Sequence, residues 1–224
     1  EAGGQTTGGQ SILGPKIRLY VIPDEVPARL DISRVSMSLD LPKNPGDPLP
    51  TDLGMRTIAV KGEYANNIRR NLGGSLFGTT YTSSDPAIVT VDADGVVAPV
   101  APGIAFIVVE HKGVKAFAEV DVDPLTGPLP PIDQTSKMSF QGGGFLLDRA
   151  KGQYVQQVKI TNQSALPLSK PLDLILTGLP SGVKLAEAKG VTKNVAPLGS
   201  PRIYVSGFDG PFLPPGQSVT LTLR

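Results

Sequence analysis

The fold is decided by residues 81–109, which read YTSSDPAIVTVDADGVVAPVAPGIAFIVV. Apolar and polar residues alternate there with a period of two, and turn-forming pairs interrupt the alternation, which is the pattern of half-buried antiparallel strands. Asp94 with Gly95 and Pro102 with Gly103 are such pairs, because glycine accepts a positive φ and proline fixes φ for a tight turn. The stretch therefore predicts a series of short strands joined by tight turns.

The same pattern extends in both directions along the chain. In the strand over 104–111 every second residue is apolar, and we expect that face to pack across to the apolar face of the strand over 114–122; the residues concerned are Ala105, Ile107, Val109, Ala118, Val120 and Val122. The other predicted strands cover residues 17–21, 30–41, 57–64, 79–82, 87–91, 95–100, 154–161, 172–177, 183–186, 202–206 and 218–223. A spacing of about 8 to 12 residues between strands is typical of a β-sandwich.

The composition agrees with an all-β chain and excludes several kinds of chemistry. Glycine and proline make up 48 of the 224 residues, which disfavours long helices. The chain has no cysteine and one histidine, so thiolate catalysis and cysteine- or histidine-rich metal sites are excluded. Its 21 basic and 20 acidic residues give no overall basic bias for nucleic acid. No stretch approaches the roughly 20 apolar residues of a membrane-spanning helix, so we expect no membrane insertion.

A proline-rich segment over 124–137 divides the chain into two parts. Its prolines favour an extended backbone and remove ladder donors, so we predict a linker there. Residues 1–28 are predicted to be a flexible leader with an extra strand. The charge is uneven across the linker: residues 1–137 carry a net charge of −4 and residues 138–224 a net charge of +5. Such asymmetry could favour head-to-tail contact between molecules, although uneven surface charge is common in modular proteins.

The motifs in residues 81–109 resemble the signature of the group 2 bacterial immunoglobulin-like domains. That signature has a Ser-Ser-Asp-Pro turn, a Val-Thr-Val-Asp strand, an Asp-Gly turn and a Pro-Gly turn before an alternating strand, and all four occur here in order. The resemblance covers about residues 29–123 and implies a seven-stranded sandwich of the kind found mostly in surface and secreted bacterial proteins.

Residues 138–224 resemble a second bacterial extracellular module, of the immunoglobulin-like or fibronectin-like type. The resemblance rests on a Val-x-Ile-Thr-Asn strand that ends at Asn162, a Gly-Leu-Pro-x-Gly-Val turn over 178–183 and a closing Pro-Gly-x-Ser-Val strand over 215–219. It implies a spacer, a scaffold or an interaction unit. The fold class predicted for the whole chain is all-β, with two tandem immunoglobulin-like β-sandwich domains.

The leading strand is the strongest candidate for an intermolecular contact. Ile17, Leu19 and Val21 alternate with polar or longer residues ahead of the expected start of the first sandwich. This strand could extend a sheet of its own domain, or it could add to an exposed sheet edge of another subunit by β-augmentation. The second alternative would make the chain a subunit of a filament or surface lattice.

Other motifs are better explained by structure than by chemistry. Asp94 and Gly95 resemble the centre of a calcium loop, but Ala101 then stands where a bidentate glutamate belongs. We predict that 142–144 is a flexible glycine connection and that His111 lies at a solvent-exposed strand edge. Asp121 and Asp123 share one strand face, which for two acids is usually a surface feature. Asn162 begins a glycosylation sequon and is better explained as a strand-end asparagine.

The sequence therefore predicts a non-catalytic extracellular protein of a bacterial cell surface or appendage. It would act structurally or adhesively, through protein–protein contacts of its immunoglobulin-like domains, including self-assembly. We predict no catalytic, cofactor-binding or metal-binding residues. The alternative is an accessory polysaccharide-binding module of a larger secreted enzyme. The low aromatic content of 5% and the lack of tryptophan disfavour that alternative.

Overall fold

The structure, a computed structural model, describes residues 3–5, 11–13, 25–42, 56–124 and 129–224. The described chain is all-β, as the sequence predicts, and its strands form several sheets. The first strands are β1 (Gly3–Gln5) and β2 (Ser11–Leu13), which pair antiparallel. In the described residues no helix is long and apolar enough to cross a membrane.

We use "first half" for residues 29–123 and "second half" for residues 138–224. The strands of the first half are β3 (Arg29–Ile32), β4 (Ser36–Asp40), β5 (Val60–Glu63), β6 (Arg69–Asn71), β7 (Thr80–Ser83), β8 (Val89–Val91), β9 (Val97–Pro99), β10 (Gly103–His111) and β11 (Val114–Asp123). The strands of the second half are β12 (Met138–Gly142), β13 (Leu146–Asp148), β14 (Gln153–Asn162), β15 (Leu168–Ser169), β16 (Asp173–Ile175), β17 (Arg202–Tyr204), β18 (Phe212–Leu213) and β19 (Ser218–Leu223). Short 3₁₀ turns occur at Ala65–Asn67, Ser75–Phe77 and Thr135–Lys137.

A four-stranded sheet in the order β4-β11-β10-β7 forms one layer of the first half. β10 and β11 pair antiparallel with Ile107 opposite Ala118, and β4 joins β11 in parallel. The register confirms the predicted packing face, because Ala105 lies opposite Val120 and both are buried. This face packs against buried residues from the rest of the first half, including Ile58, Val60, Leu72, Val89 and Val97.

The hairpin between β8 and β9 turns at Asp94 and Gly95, as predicted. Gly95 has a φ of 80°, and the Asp92 carboxylate accepts hydrogen bonds from the backbone N–H groups of Asp94 and Val96 at 3.0 and 2.8 Å. Its side chain thus holds the turn as an Asx-type motif. The Tyr81 ring packs directly against Gly95, close enough that an added Cβ would lie 2.8 Å from Tyr81 Cε1.

A bulged strand is the main departure from the sequence prediction in the second half. β12 pairs with β14 from Met138 opposite Asn162 to Gly142 opposite Val158, and β13 resumes the pairing with Leu146 opposite Val155. The chain advances four residues from Gly142 to Leu146, whereas β14 advances only three between their partners Val158 and Val155. The extra residue is accommodated as a β-bulge. The prediction that 142–144 is a flexible connection is wrong: the Gly143 N–H donates to Gln157 O at 2.8 Å, and Gln156 Nε2 donates to Gly143 O at 2.9 Å.

The remaining strands of the second half complete a separate hydrophobic cluster. β19 pairs with β14, β15 with β18, and β16 with β17, all antiparallel. The buried members of the cluster are Ile160, Leu168, Ile203, Val205, Leu213, Val219, Leu221 and Leu223. The strand predicted over 183–186 does not form, and Val183 instead follows a turn. This segment is hydrogen-bonded to the C-terminal residue, because the Ala186 N–H donates to Arg224 O at 2.7 Å.

Candidate functional site

The predicted contact strand lies outside the described residues. Ile17, Leu19 and Val21 belong to residues 14–24, which the structure does not describe. Their pairing within the molecule or with another subunit therefore stays a prediction.

The most exposed group of large apolar side chains lies on the bulged strand of the second half. Phe145 and Leu146 are 69% and 73% exposed, and Leu147 is 50% exposed. Tyr154, which lies opposite Leu147 on β14, is 65% exposed. We call residues 138–147 the apolar edge, because this segment contains no charged residue and its strand β12 pairs only with β14 among the described strands. Exposed apolar patches of this kind mark interaction sites.

The geometry of β14 explains the exposure of Tyr154 and of Leu147 opposite it, whereas Leu146 lies opposite Val155 on the other face of the sheet. Val158, Ile160 and Asn162 alternate onto the core-facing side of β14, and the same alternation assigns Tyr154 to that side. The core therefore continues toward the β13–β14 hairpin as an apolar face, but no described residue buries it there. The ten consecutive uncharged residues over 138–147 are the sequence signal for this surface.

A second notable region is the contact between the two halves. Phe106 on β10 packs edge-to-face against Phe212 on β18, with ring centroids 5.8 Å apart and planes at 87°. Glu119 lies opposite Phe106 on β11 and makes a side-chain hydrogen bond with Ser169 on β15. The β15–β18 ribbon therefore covers the outward-facing pair Phe106 and Glu119, which are only 7% and 9% exposed.

Two carboxyl groups of β11, one of them at this contact, carry buried oxygen atoms without a hydrogen-bond partner, Glu119 Oε2 and Asp121 Oδ1. Burial raises the pKa of Glu119, and the hydrogen bond from Ser169 only partly offsets this effect; the charge of Asp121 raises the pKa of Glu119 further. Burial also raises the pKa of Asp121, with a contribution from the charge of Asp123. An ionised carboxylate is thus disfavoured at both positions.

We expect the contact to weaken as the pH rises. A carboxyl group with a raised pKa in the folded state binds its proton more tightly there than in the unfolded chain, so its stabilising effect is present at low pH. That effect is lost as the pH rises from the ordinary pKa of glutamate, about 4.3, to the raised pKa of Glu119. The Glu119→Gln variant, which is always neutral, should therefore be more stable than the parent above this window and should show a flatter pH profile.

Urea unfolding followed by circular dichroism at several pH values measures this effect. The Glu110→Gln variant is the control, because Glu110 lies on the same hairpin but is paired with Lys115 at 3.5 Å on a partly exposed surface. An E119Q profile that runs parallel to the parent profile would contradict the expectation.

Asp121 and Asp123 are placed differently from each other, although they share one strand face. Asp123 is exposed and accepts a hydrogen bond from Ser38 Oγ at 2.9 Å, so it is engaged with β4 and does not line a cleft with Asp121. Among the described residues, no group of three or more histidine, aspartate or glutamate side chains is placed to hold a metal ion.

The prediction of a solvent-exposed His111 is wrong. His111 is 1% exposed, and its Nδ1 lies 3.1 Å from Thr79 Oγ1. Because the Thr79 hydroxyl donates its proton to Leu72 O at 2.6 Å, His111 Nδ1 must be the donor in this pair. Burial lowers the pKa of His111 and favours the neutral ring. His111 is therefore a buried structural residue that links the end of β10 to Thr79, just before β7.

Four tyrosines, which are candidate rings for stacking on a sugar, differ in their exposure. Tyr64 is buried, with the Arg70 guanidinium 5.4 Å from its ring centroid, and Tyr81 packs at the Gly95 turn. Tyr154 and Tyr204 are 65% and 47% exposed, on β14 and β17. Only these two of the four present a ring to solvent.

The adjacent arginines Arg69 and Arg70 are used within the first half. Arg69 forms salt bridges with Glu63 at 3.2 Å and Asp31 at 3.5 Å, and Arg70 stacks on Tyr64. Glu63 also accepts a hydrogen bond from Arg29 at 2.7 Å, and this bond is the main reason that the pKa of Glu63 is lowered. The pair therefore offers no free basic patch for nucleic acid.

The sequon asparagine is fully buried. Asn162 Nδ2 donates to Leu166 O at 2.9 Å and to Leu213 O at 3.0 Å, while Oδ1 accepts from the backbone N–H of Ser164 at 2.9 Å; the Ser164 hydroxyl donates its one proton to Leu166 O at 2.5 Å. The amide thus makes three hydrogen bonds inside the protein, two as donor and one as acceptor. This geometry confirms the interpretation as a structural strand-end asparagine and leaves no room for a glycan on the folded chain.

An open groove in the second half has an apolar lining, formed mainly by Leu176, Leu179, Val183, Leu185 and Leu198. Lys184 is the one ionisable residue in its lining. The groove therefore lacks the pair of acid and base that general acid–base catalysis requires.

Comparison with protein-family models finds no match to this chain. Comparison with curated proteins likewise finds no matching protein.

Proposed function

We propose that the chain is a non-catalytic structural or adhesive protein of a bacterial cell surface or extracellular appendage. In this proposal residues 29–123 and 138–224 are tandem immunoglobulin-like sandwiches, joined by the linker over 124–137, and they act through protein–protein contacts that include self-assembly. The extracellular location follows from the resemblance of both halves to bacterial surface and secreted modules.

The observation that best supports the proposal is the exposed apolar edge with its neighbour Tyr154. Each half buries its own hydrophobic cluster, and Phe145, Leu146, Leu147 and Tyr154 belong to neither; within the apolar edge, Met138 packs against the second cluster. An uncharged strand that is open on one side is suited to contact with another protein chain. The described residues also bring no catalytic set of side chains together, which favours a binding role over an enzymatic one.

Sedimentation of the intact chain and of a version that begins at Arg29 tests this proposal. We expect the intact chain to form larger species as its concentration rises. If the version that begins at Arg29 stays monomeric, residues 17–21 form the contact; if it also assembles, the contact lies in the described halves. Monomers of both versions at every concentration would contradict self-assembly.

The polysaccharide-binding alternative is favoured by the two exposed rings, Tyr154 and Tyr204. Specific retention of the chain on an insoluble glycan, lost in the variants Tyr154→Ala or Tyr204→Ala, would support this alternative over the main proposal.

A further inference from the structure

The strand β12 has an open hydrogen-bonding side. Lys137 O accepts from the Gln163 N–H at 2.9 Å, and the Gly143 N–H donates to Gln157 O at 2.8 Å, so the peptide groups of residues 137 and 143 point toward β14. Hydrogen bonding alternates along an antiparallel strand. The peptide groups of Met138, Phe140 and Gly142 therefore point away from β14, and in the described sheet no other strand pairs with β12.

This open side lacks the usual protection of a sheet edge. Natural edge strands carry lysine, proline or inward-pointing charges that prevent pairing with another chain. Residues 138–142 read MSFQG and contain none of these. The bulge after Gly142 ends the flat part of the edge, which leaves a short open ladder centred on Phe140, and Phe140 is 45% exposed.

The sequence of this ladder is complementary to itself. In an antiparallel pair of two copies centred on Phe140, the two phenylalanines lie opposite each other, and Gly142 of each copy lies opposite Met138 of the other. Aromatic cross-strand pairs are favourable, and no like charges are opposed. The outward peptide groups would form about six backbone hydrogen bonds between the copies.

We propose that the 138–142 edges of two copies pair antiparallel about a two-fold axis at Phe140, which joins their sheets into one. The inference rests on the proposed function and names its partner as a second copy of this chain. Two second halves, each with a net charge of +5, then come together, so added salt should strengthen the contact. Head-to-tail contact between the acidic and basic parts would instead weaken with salt.

Single cysteines test the pairing, because the natural chain has none. Under mild oxidation the Phe140→Cys variant should be converted to a disulfide-linked dimer, since opposite residues in a ladder lie within disulfide reach. Ser139→Cys is the register control, because Ser139 would face Gln141 of the other copy. Thr82→Cys, exposed on the edge strand β7, is the control for random collision.

A second variant gives an independent measurement without a cysteine. Phe140→Lys should lose the dimer in sedimentation while it keeps the circular dichroism spectrum of the parent. The pairing is overturned if F140C forms no more dimer than S139C and T82C, or if F140K assembles like the parent. When the parent still assembles in either of these cases, the proposed function stands and another surface forms the contact.

Discussion

The Asn162→Ala variant is expected to lose about 3 kcal/mol of the free energy of unfolding, because three hydrogen bonds of one fully buried amide disappear together. The Leu213 carbonyl loses a donor and the Ser164 N–H loses its acceptor, while Leu166 O keeps the Ser164 hydroxyl as a donor. Unsatisfied buried groups of this kind cost about 1 to 3 kcal/mol each before any relaxation. Urea unfolding followed by circular dichroism measures the loss.

The same variant also disconnects parts of the second half that are far apart in sequence. Leu166 precedes β15 and Leu213 ends β18, so the Asn162 amide ties the end of β14 to both strands of that ribbon. Asn194→Ala is the matched control, because Asn194 is an exposed asparagine of the same half and its replacement should change stability by less than about 0.5 kcal/mol. Equal stability losses in the two variants would show that the network is not important.

The Gly95→Ala variant is the second change with a large expected effect, a loss of about 3 kcal/mol. Alanine at a φ of 80° is strained by about 1 to 2 kcal/mol. Its Cβ would also lie 2.8 Å from Tyr81 Cε1 and 3.0 Å from Ile58 O. The Tyr81 hydroxyl is held by the Gly74 N–H at 3.3 Å, so the ring cannot move away without breaking that contact, and overpacking adds about 1 to 3 kcal/mol.

Gly113 provides the control that separates these two contributions. It lies in the turn between β10 and β11 with a φ of 81°, and an added Cβ would meet no atom within 4 Å. Gly113→Ala should therefore show the backbone strain alone, about 1 to 2 kcal/mol. A Gly95→Ala loss no greater than that of Gly113→Ala would mean that the Tyr81 ring adapts freely. Thermal or urea unfolding of the two variants makes this comparison.

The β10–β11 hairpin could be predicted from sequence because the alternation there coincides with burial. Ile107 and Ala118 are apolar at the positions that the register brings together. The same alternation assigns His111 to the buried face of Val109, so its burial was readable from its position in the strand. Phe106 and Val108 on the other face were also a signal, since a strand that is apolar on both faces is covered on both sides.

The bulged strand could not be predicted in the same way. Its extra residue shifts by one position which residues face the core. Phe145, Leu146 and Leu147 are moreover apolar in succession, so the sequence shows no period of two there. The three glycines before them carry no side chain and hence no period. The contact between the halves could not be predicted from sequence either. The position of Glu119 in its strand is that of an ordinary solvent-facing charge, and only the structure shows that β15 covers it.

The parallel pairing of β4 with β11 has a mechanical consequence. Ser36 begins one strand and Asp123 ends the other, and these residues lie at opposite ends of the shared ladder. A tension that draws Ser36 and Asp123 apart acts along the strands, so it shears all the hydrogen bonds of the ladder at once and does not peel them one by one. The parallel pairing of β4 with β11 therefore also sets the direction in which the first half resists a pulling force.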